Sequence, residues 1–145
     1  MMFAAQGLGA ADMVTPSGAH SIGRARCLFF TGRLAAMDPG YAQRLNAACN
    51  GTGSPNNRVG QDPVTADVLD NQYYKNIDKF VLFRSDAVLV SSAATKQQVD
   101  VNAANPSSWE SDFAAAMVKM GNIGVKTVRV PGQTEIRDVC WRVNA

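Results

Sequence analysis

The 145 residues predict an all-α chain, and three observations carry that reading. Trp109, Phe113, Met117 and Met120 follow one another at spacings of 4, 4 and 3, which lays them along one stripe of a helix. Asp38-Pro39 pairs a capping carboxylate with a proline suited to the first helical position. Strand pattern is scarce: only Val128 to Val130 and Cys140 to Val143 look strand-like, and both are too short to make a sheet.

The elements follow in order. Asp12 is placed to cap a short helix through Met13 and Val14 toward His20. Asp38-Pro39 opens a helix over Tyr41 to Cys49, with Tyr41, Leu45 and Ala48 on one face. Asn50 to Gly60, rich in Gly, Asn, Ser and Pro, reads as a loop. A further helix runs from Asp70 to Lys79 and carries Tyr73 and Tyr74. Ser85 can cap a turn through Asp86 and Leu89, and Thr95 to Asn105 suits another short helix. Ser107 or Ser108 can cap the Trp109–Met120 helix, which Gly121 stops. Its apolar stripe reads as core in preference to a cofactor wall.

Composition narrows the function classes. A chain of 145 residues with 46% hydrophobic content suits one domain with a core. A net charge of +2 from scattered basic residues argues against a nucleic-acid partner. No apolar run reaches transmembrane length, so no membrane partner is expected. The stretch Met1 to Gly7 has no basic region or long apolar segment, so no secretory signal is visible. Three cysteines, Cys27, Cys49 and Cys140, leave two readings: a free thiol, or a bridge whose other half lies elsewhere. Asn50-Gly51-Thr52 is a glycosylation sequon, which would be used in a secreted chain.

Three places could carry chemistry. His20 is the only histidine, in Ser17-Gly18-Ala19-His20-Ser21-Ile22-Gly23. One imidazole cannot build a zinc site, but it can be a packing residue or give one nitrogen to an iron that a macrocycle already holds. Asp62-Pro63-Val64-Thr65-Ala66-Asp67-Val68-Leu69-Asp70 gathers hard oxygen donors, which suits calcium or a solvated capping loop. Asp86, among Val81, Leu82, Val88 and Leu89, is either a helix-end carboxylate or a buried acceptor for an imidazole N–H.

Five motifs, in order, resemble one family, the plant secretory (class III) haem peroxidases. Ser17 to Gly23 is similar to the family's proximal-histidine signature, and Asp70-Asn71-Gln72-Tyr73-Tyr74 to its Asp-Asn-x-Tyr-Tyr helix start. Ser85-Asp86 resembles its Ser-Asp, and Met117-Val118-Lys119-Met120-Gly121-Asn122-Ile123 its late-helix signature. Glu135-Ile136-Arg137 with Cys140 and Val143-Asn144 resembles its ending. The resemblance covers essentially the whole chain. It implies a single partial domain over residues 1–145, the C-terminal, proximal half of the haem-dependent peroxidase fold.

The resemblance also implies roles. His20 would be the axial ligand of haem b, with Asp86 accepting its other ring N–H. Ser21, Asp62, Thr65, Val68 (through its carbonyl) and Asp70 fall on the family's proximal calcium ligands. Cys27 and Cys49 would form a disulfide, and Cys140 would pair outside this stretch. Phe29 falls near the haem edge where small aromatic donors are admitted. The implied activity is oxidation of phenolic or similar aromatic donors by hydrogen peroxide, in a monomer that is extracellular or vacuolar. The distal Arg-x-x-Phe-His-Asp-Cys motif has no counterpart here, so the alternative is a non-catalytic remnant that at most binds haem or calcium. Pro16 stands where the family has an apolar residue, Gln61 where an aromatic ring often stacks on the imidazole, and Trp141 where a basic residue is usual. Lys126 to Gln133 departs from the usual stretch. A proline inside a helix removes one hydrogen bond and costs about 3 kcal/mol or a kink.

Overall fold

Caps and packing partners decide where each helix begins and ends. The computed structural model describes residues 2–50, 54–125 and 135–144. Among them are the helices α1 (Met2–Ala5), α2 (Ala10–Ser17), α3 (Pro39–Cys49), α4 (Gln72–Asn76), α5 (Arg84–Ala87), α6 (Ala93–Ala104) and α7 (Pro106–Gly121). Short 3₁₀ turns lie between several of them. The chain is all-α as expected, with one small addition. Strands β1 (Arg24–Arg26) and β2 (Arg58–Gly60) pair antiparallel, with Arg24 opposite Gly60, Ala25 opposite Val59 and Arg26 opposite Arg58.

The expected strand at Cys140 to Val143 is instead a turn and bend. There Arg137 donates to the Cys140 carbonyl at 3.0 Å, and Asn144 folds back to the Ile136 carbonyl at 3.0 Å. Local hydrogen bonding thus takes the place of a ladder. Val128 to Val130, Lys126 to Gln133, and Gly51 and Thr52 of the sequon lie outside the described residues.

Asp12 serves α2 from inside its first turn, not from in front of it. Its Oδ2 accepts the Gly9 N–H at 2.7 Å, and Gly9 is the capping residue. Pro16 is the last residue but one of α2, so its missing N–H falls at the end of the helix. The chain then tightens into the 3₁₀ turn Gly18–Ser21, which carries His20. In α3, Asp38 caps as expected by accepting the Tyr41 N–H at 2.9 Å. The buried face is Tyr41, Leu45 and Cys49; Ala48 is exposed, because the stripe steps by four toward the disulfide.

Helix α4 is shorter than Asp70 to Lys79, because Asp70 turns its Oδ1 onto the Gln72 N–H at 2.9 Å and stands outside the helix. Helix α6 starts earlier than Thr95, with Ser92 accepting the Thr95 N–H at 3.3 Å. Ser85, Ser107 and Ser108 lie within helices and cap none; Phe83 and Asn105 hold the capping positions. On α7, Trp109 is buried and Phe113 half-buried, while Met117 and Met120 are exposed. The expected stripe is therefore core only in its N-terminal half.

Two cores result. One joins α2, α4, α6 and α7 through Val14, Tyr73, Tyr74, Ile77, Val81, Leu89, Val99 and Trp109. Trp109 Nε1 donates to Tyr74 Oη at 3.0 Å, and Tyr74 Oη donates to the Thr15 carbonyl at 2.6 Å. The other core holds Ala25, Phe30, Met37, Tyr41, Leu45, Leu82 and the Cys27–Cys49 disulfide. Between them, Arg33 Nη1 donates to the carbonyls of Val81, Leu82 and Phe83.

Candidate functional site

His20 stands where α2 gives way to the 3₁₀ turn, a position set by close packing two residues earlier. A Cβ on Gly18 would lie 2.7 Å from both Trp109 Cζ2 and Tyr74 Oη, so only glycine lets the turn approach them. From there the imidazole reaches Asp86 on α5, 66 residues away in sequence. Its Nδ1 is 3.1 Å from both Asp86 Oδ1 and Oδ2.

Asp86 is buried, its side chain only 6% exposed, while the His20 side chain is 40% exposed. The Asp86 hydrogen bond raises the His20 pKa above the ordinary imidazole range, against burial, which lowers it. With Nδ1 committed to the carboxylate, Nε2 has no hydrogen-bond partner among the described residues. The ring is walled edge-on by Phe83 at 5.4 Å and Tyr73 at 6.2 Å between centroids. Tyr73 Oη is buried without a hydrogen bond among the described residues, and burial first, then the nearby Asp86 charge, raises its pKa. Gln61 does not stack on the imidazole: its Nε2 donates to the Ile22 carbonyl at 3.2 Å.

The neighbouring residue, Ser21, begins a second cluster made only of oxygens. Ser21 Oγ donates to the Val68 carbonyl at 3.0 Å and lies 2.9 Å from Asp70 Oδ1. Thr65 Oγ1 is 3.2 Å from the same carboxylate oxygen. Asp62 Oδ1 accepts the N–H groups of Val64 at 2.7 Å and Thr65 at 3.0 Å. Its Oδ2 is buried with no hydrogen-bond partner among the described residues. A buried, unpartnered carboxylate oxygen is a poor end state for a protein but a good donor for a hard cation. Only two carboxylates contribute, and no group of three His, Cys, Asp or Glu side chains suited to a metal occurs among the described residues.

The structure thus brings Ser21, Asp62, Thr65, Val68 and Asp70 into one knot and sets His20 on Asp86. Cys27 and Cys49 are bridged, and Cys140 is free and exposed. Phe29 is 67% exposed on the 3₁₀ turn after β1. Sequence reasoning missed Phe83 and Tyr73 as the walls of the imidazole. Phe83 lies three residues before Asp86, a spacing that would have placed it near the same face.

A match to the Peroxidase family profile spans residues 1–105. Curated relatives extend the similarity to nearly the whole chain. "Peroxidase 4" of Vitis vinifera is 41% identical over 98% of this chain and 45% of its own length. "Peroxidase 2" of Zea mays is 41% identical over 98% of this chain and 44% of its own. The "Lignin-forming anionic peroxidase" of Nicotiana sylvestris is 40% identical over 98% and 45%. The chain therefore spans less than half the length of these relatives. A family profile matched over residues 1–105, with plant peroxidases about 40% identical along nearly the whole chain, makes it a member of the Peroxidase family.

Proposed function

We propose that the chain is the proximal, C-terminal part of a haem peroxidase domain, in which His20 would hold haem b. The observation that carries this reading is the division of labour on one ring: Nδ1 is held by Asp86, and Nε2 has no partner among the described residues. Bound haem would supply the peroxide-cleaving redox chemistry. The residues of this chain orient and tune. Asp86 fixes the tautomer that keeps the proton on Nδ1 and makes Nε2 the more basic donor. Phe83 and Tyr73 prevent the ring from swinging. Phe29, exposed, is available to an incoming aromatic donor.

Ser21, Asp62, Thr65, the Val68 carbonyl and Asp70 would hold calcium, and the orphaned Asp62 Oδ2 supports that fit. The substrates of the whole protein are hydrogen peroxide and small phenolic donors, and its place is extracellular or vacuolar. Among the described residues no helix is long and apolar enough to cross a membrane. A single histidine, engaged at His20, leaves this stretch no imidazole to move the peroxide proton. That favours a second reading for the stretch alone: it binds haem and calcium without turnover.

Hemin titration of the chain with calcium, followed at the Soret band, tests the assignment. A bound species that disappears in His20→Ala is expected, with no guaiacol oxidation by peroxide. A Soret response identical in wild type and His20→Ala removes His20 as the ligand, and robust turnover removes the non-catalytic reading of the stretch.

A further inference from the structure

Three aromatic contacts run end to end from His20 into the core. The imidazole meets the edge of Tyr73, Tyr73 meets Tyr74 with centroids 5.0 Å apart, and Tyr74 meets Trp109 at 6.0 Å. Each separation is that of aromatic rings in contact. Helix α4 supplies two neighbouring residues of the series and α7 the third. All three are buried, and Trp109 is only 1% exposed. A hydrogen bond closes the last contact, from Trp109 Nε1 to Tyr74 Oη at 3.0 Å.

The two phenols differ in what each can do with a proton. Tyr74 Oη donates to the carbonyls of Val14 and Thr15, which accept hydrogen bonds but are too weakly basic to take the proton. Tyr73 Oη makes no hydrogen bond among the described residues, and the charge of the Asp86 carboxylate bears on it. A phenol gives up an electron readily when a base can receive its proton. An indole can give one and keep its N–H, and the N–H of Trp109 is already held by Tyr74.

We propose that Tyr73, Tyr74 and Trp109 form an electron relay that draws an oxidising equivalent away from His20 and stores it on the Trp109 indole. The oxidant is a one-electron oxidising metal centre bound at His20 Nε2. Its identity as haem rests on the function proposed above; the relay itself does not. Tyr73 gives the centre an electron and passes its phenol proton to Asp86. Trp109 then supplies an electron to Tyr73 through the Tyr74 ring, and Asp86 returns the proton. On balance the metal centre gains one electron and the indole loses one, with no bond made or broken. Tunnelling falls steeply with distance, so short steps between touching rings outrun one long step. An equivalent that finds no donor thus leaves the imidazole for a ring that solvent does not reach.

His20 is the only histidine, and its Nε2 has no partner among the described residues, so a single bis(bipyridine)ruthenium(II) label can be placed there. Flash excitation with hexaammineruthenium(III) as quencher leaves ruthenium(III) on the ring, and transient absorption then reports indole and phenoxyl radicals. The background is Trp141→Phe, which removes the other, exposed tryptophan and leaves Trp109 as the sole indole. An indole radical is expected in that background. Tyr73→Phe, which keeps the ring and removes only the hydroxyl, slows its rise about tenfold or more. Tyr41→Phe, in the other core, leaves the rise unchanged. Trp109→Phe replaces the indole signal with a phenoxyl one. Absence of an indole radical in the Trp141→Phe background overturns the proposal, as does a rise that Tyr73→Phe leaves unaltered. Those two arms decide the matter even if Trp109→Phe fails to fold. No haem enters the experiment, so its failure is distinct from failure of the haem assignment, which the Soret titration reads.

Discussion

Asp86 straddles the His20 Nδ1, with both of its oxygens 3.1 Å from that one nitrogen. The hydrogen bond that this carboxylate accepts is the largest influence on the imidazole and raises its pKa, while burial opposes it. Asp86→Asn keeps the shape and removes the charge, leaving burial to act alone. The His20 pKa, read from the ring C–H shifts in an NMR titration, is then expected to fall from above 6.5 to that value or below. A pKa unmoved by the substitution would show that the carboxylate does not control the ring.

Calcium should stabilise the chain through the oxygen knot. A ligand at a hundredfold excess over its Kd that binds only the folded state adds about 2.7 kcal/mol. Calorimetric melts are expected to shift upward with calcium and much less with magnesium, whose smaller shell demands stricter geometry. Asp62→Ala, which removes the buried unpartnered oxygen, should abolish the calcium-dependent part of the shift.

Gly18→Ala should destabilise the fold by about 1–3 kcal/mol in a denaturant melt, the usual cost of forcing a methyl group into packed space. The new Cβ would press on Trp109 and Tyr74, both buried. Gly121→Ala, where nothing lies near the Cβ position, is expected to be neutral or better.

Asp12 and Lys119 join the start of α2 to the end of α7 at 2.6 Å. The Lys119 hydrogen bond, with the Gly9 N–H, lowers the Asp12 pKa below 3.8. A depressed carboxylate contributes stability that is present above its unfolded value and lost as pH falls through its folded value. The loss therefore begins near 3.8 and completes below it. Lys119→Met should flatten that acid limb of the stability curve and leave the neutral region little changed, since the pair is solvent-exposed.

What the sequence revealed and what it hid divide along physical lines. Asp38-Pro39 opened α3 as expected because a cap and its proline are local signals. The approach of His20 to Asp86 and the closure of Cys27 on Cys49 were implied only through family resemblance, since no local rule reaches across 66 or 22 residues. The β1–β2 ribbon stayed hidden because three-residue strands are too short to show alternation, and Arg-Ala-Arg has little strand propensity. Met117 and Met120 show the opposite failure. A perfect helical spacing states which residues share a face, not whether anything covers it.

Val81 belongs to one core and Leu82 to the other. The chain thus passes from one half of the molecule to the other across a single peptide bond, with Arg33 gripping the carbonyls on either side. Both bridged cysteines lie in the half that holds Leu82, and the other half is held by its packing and by hydrogen bonds such as those of Trp109 and Tyr74. A reductant and a core substitution at Trp109 therefore act on different cores, the first on the one that holds the disulfide and the second on the one that does not. Phe83 and Asp86 lie just past that seam, so damage to either half is transmitted to the imidazole they hold.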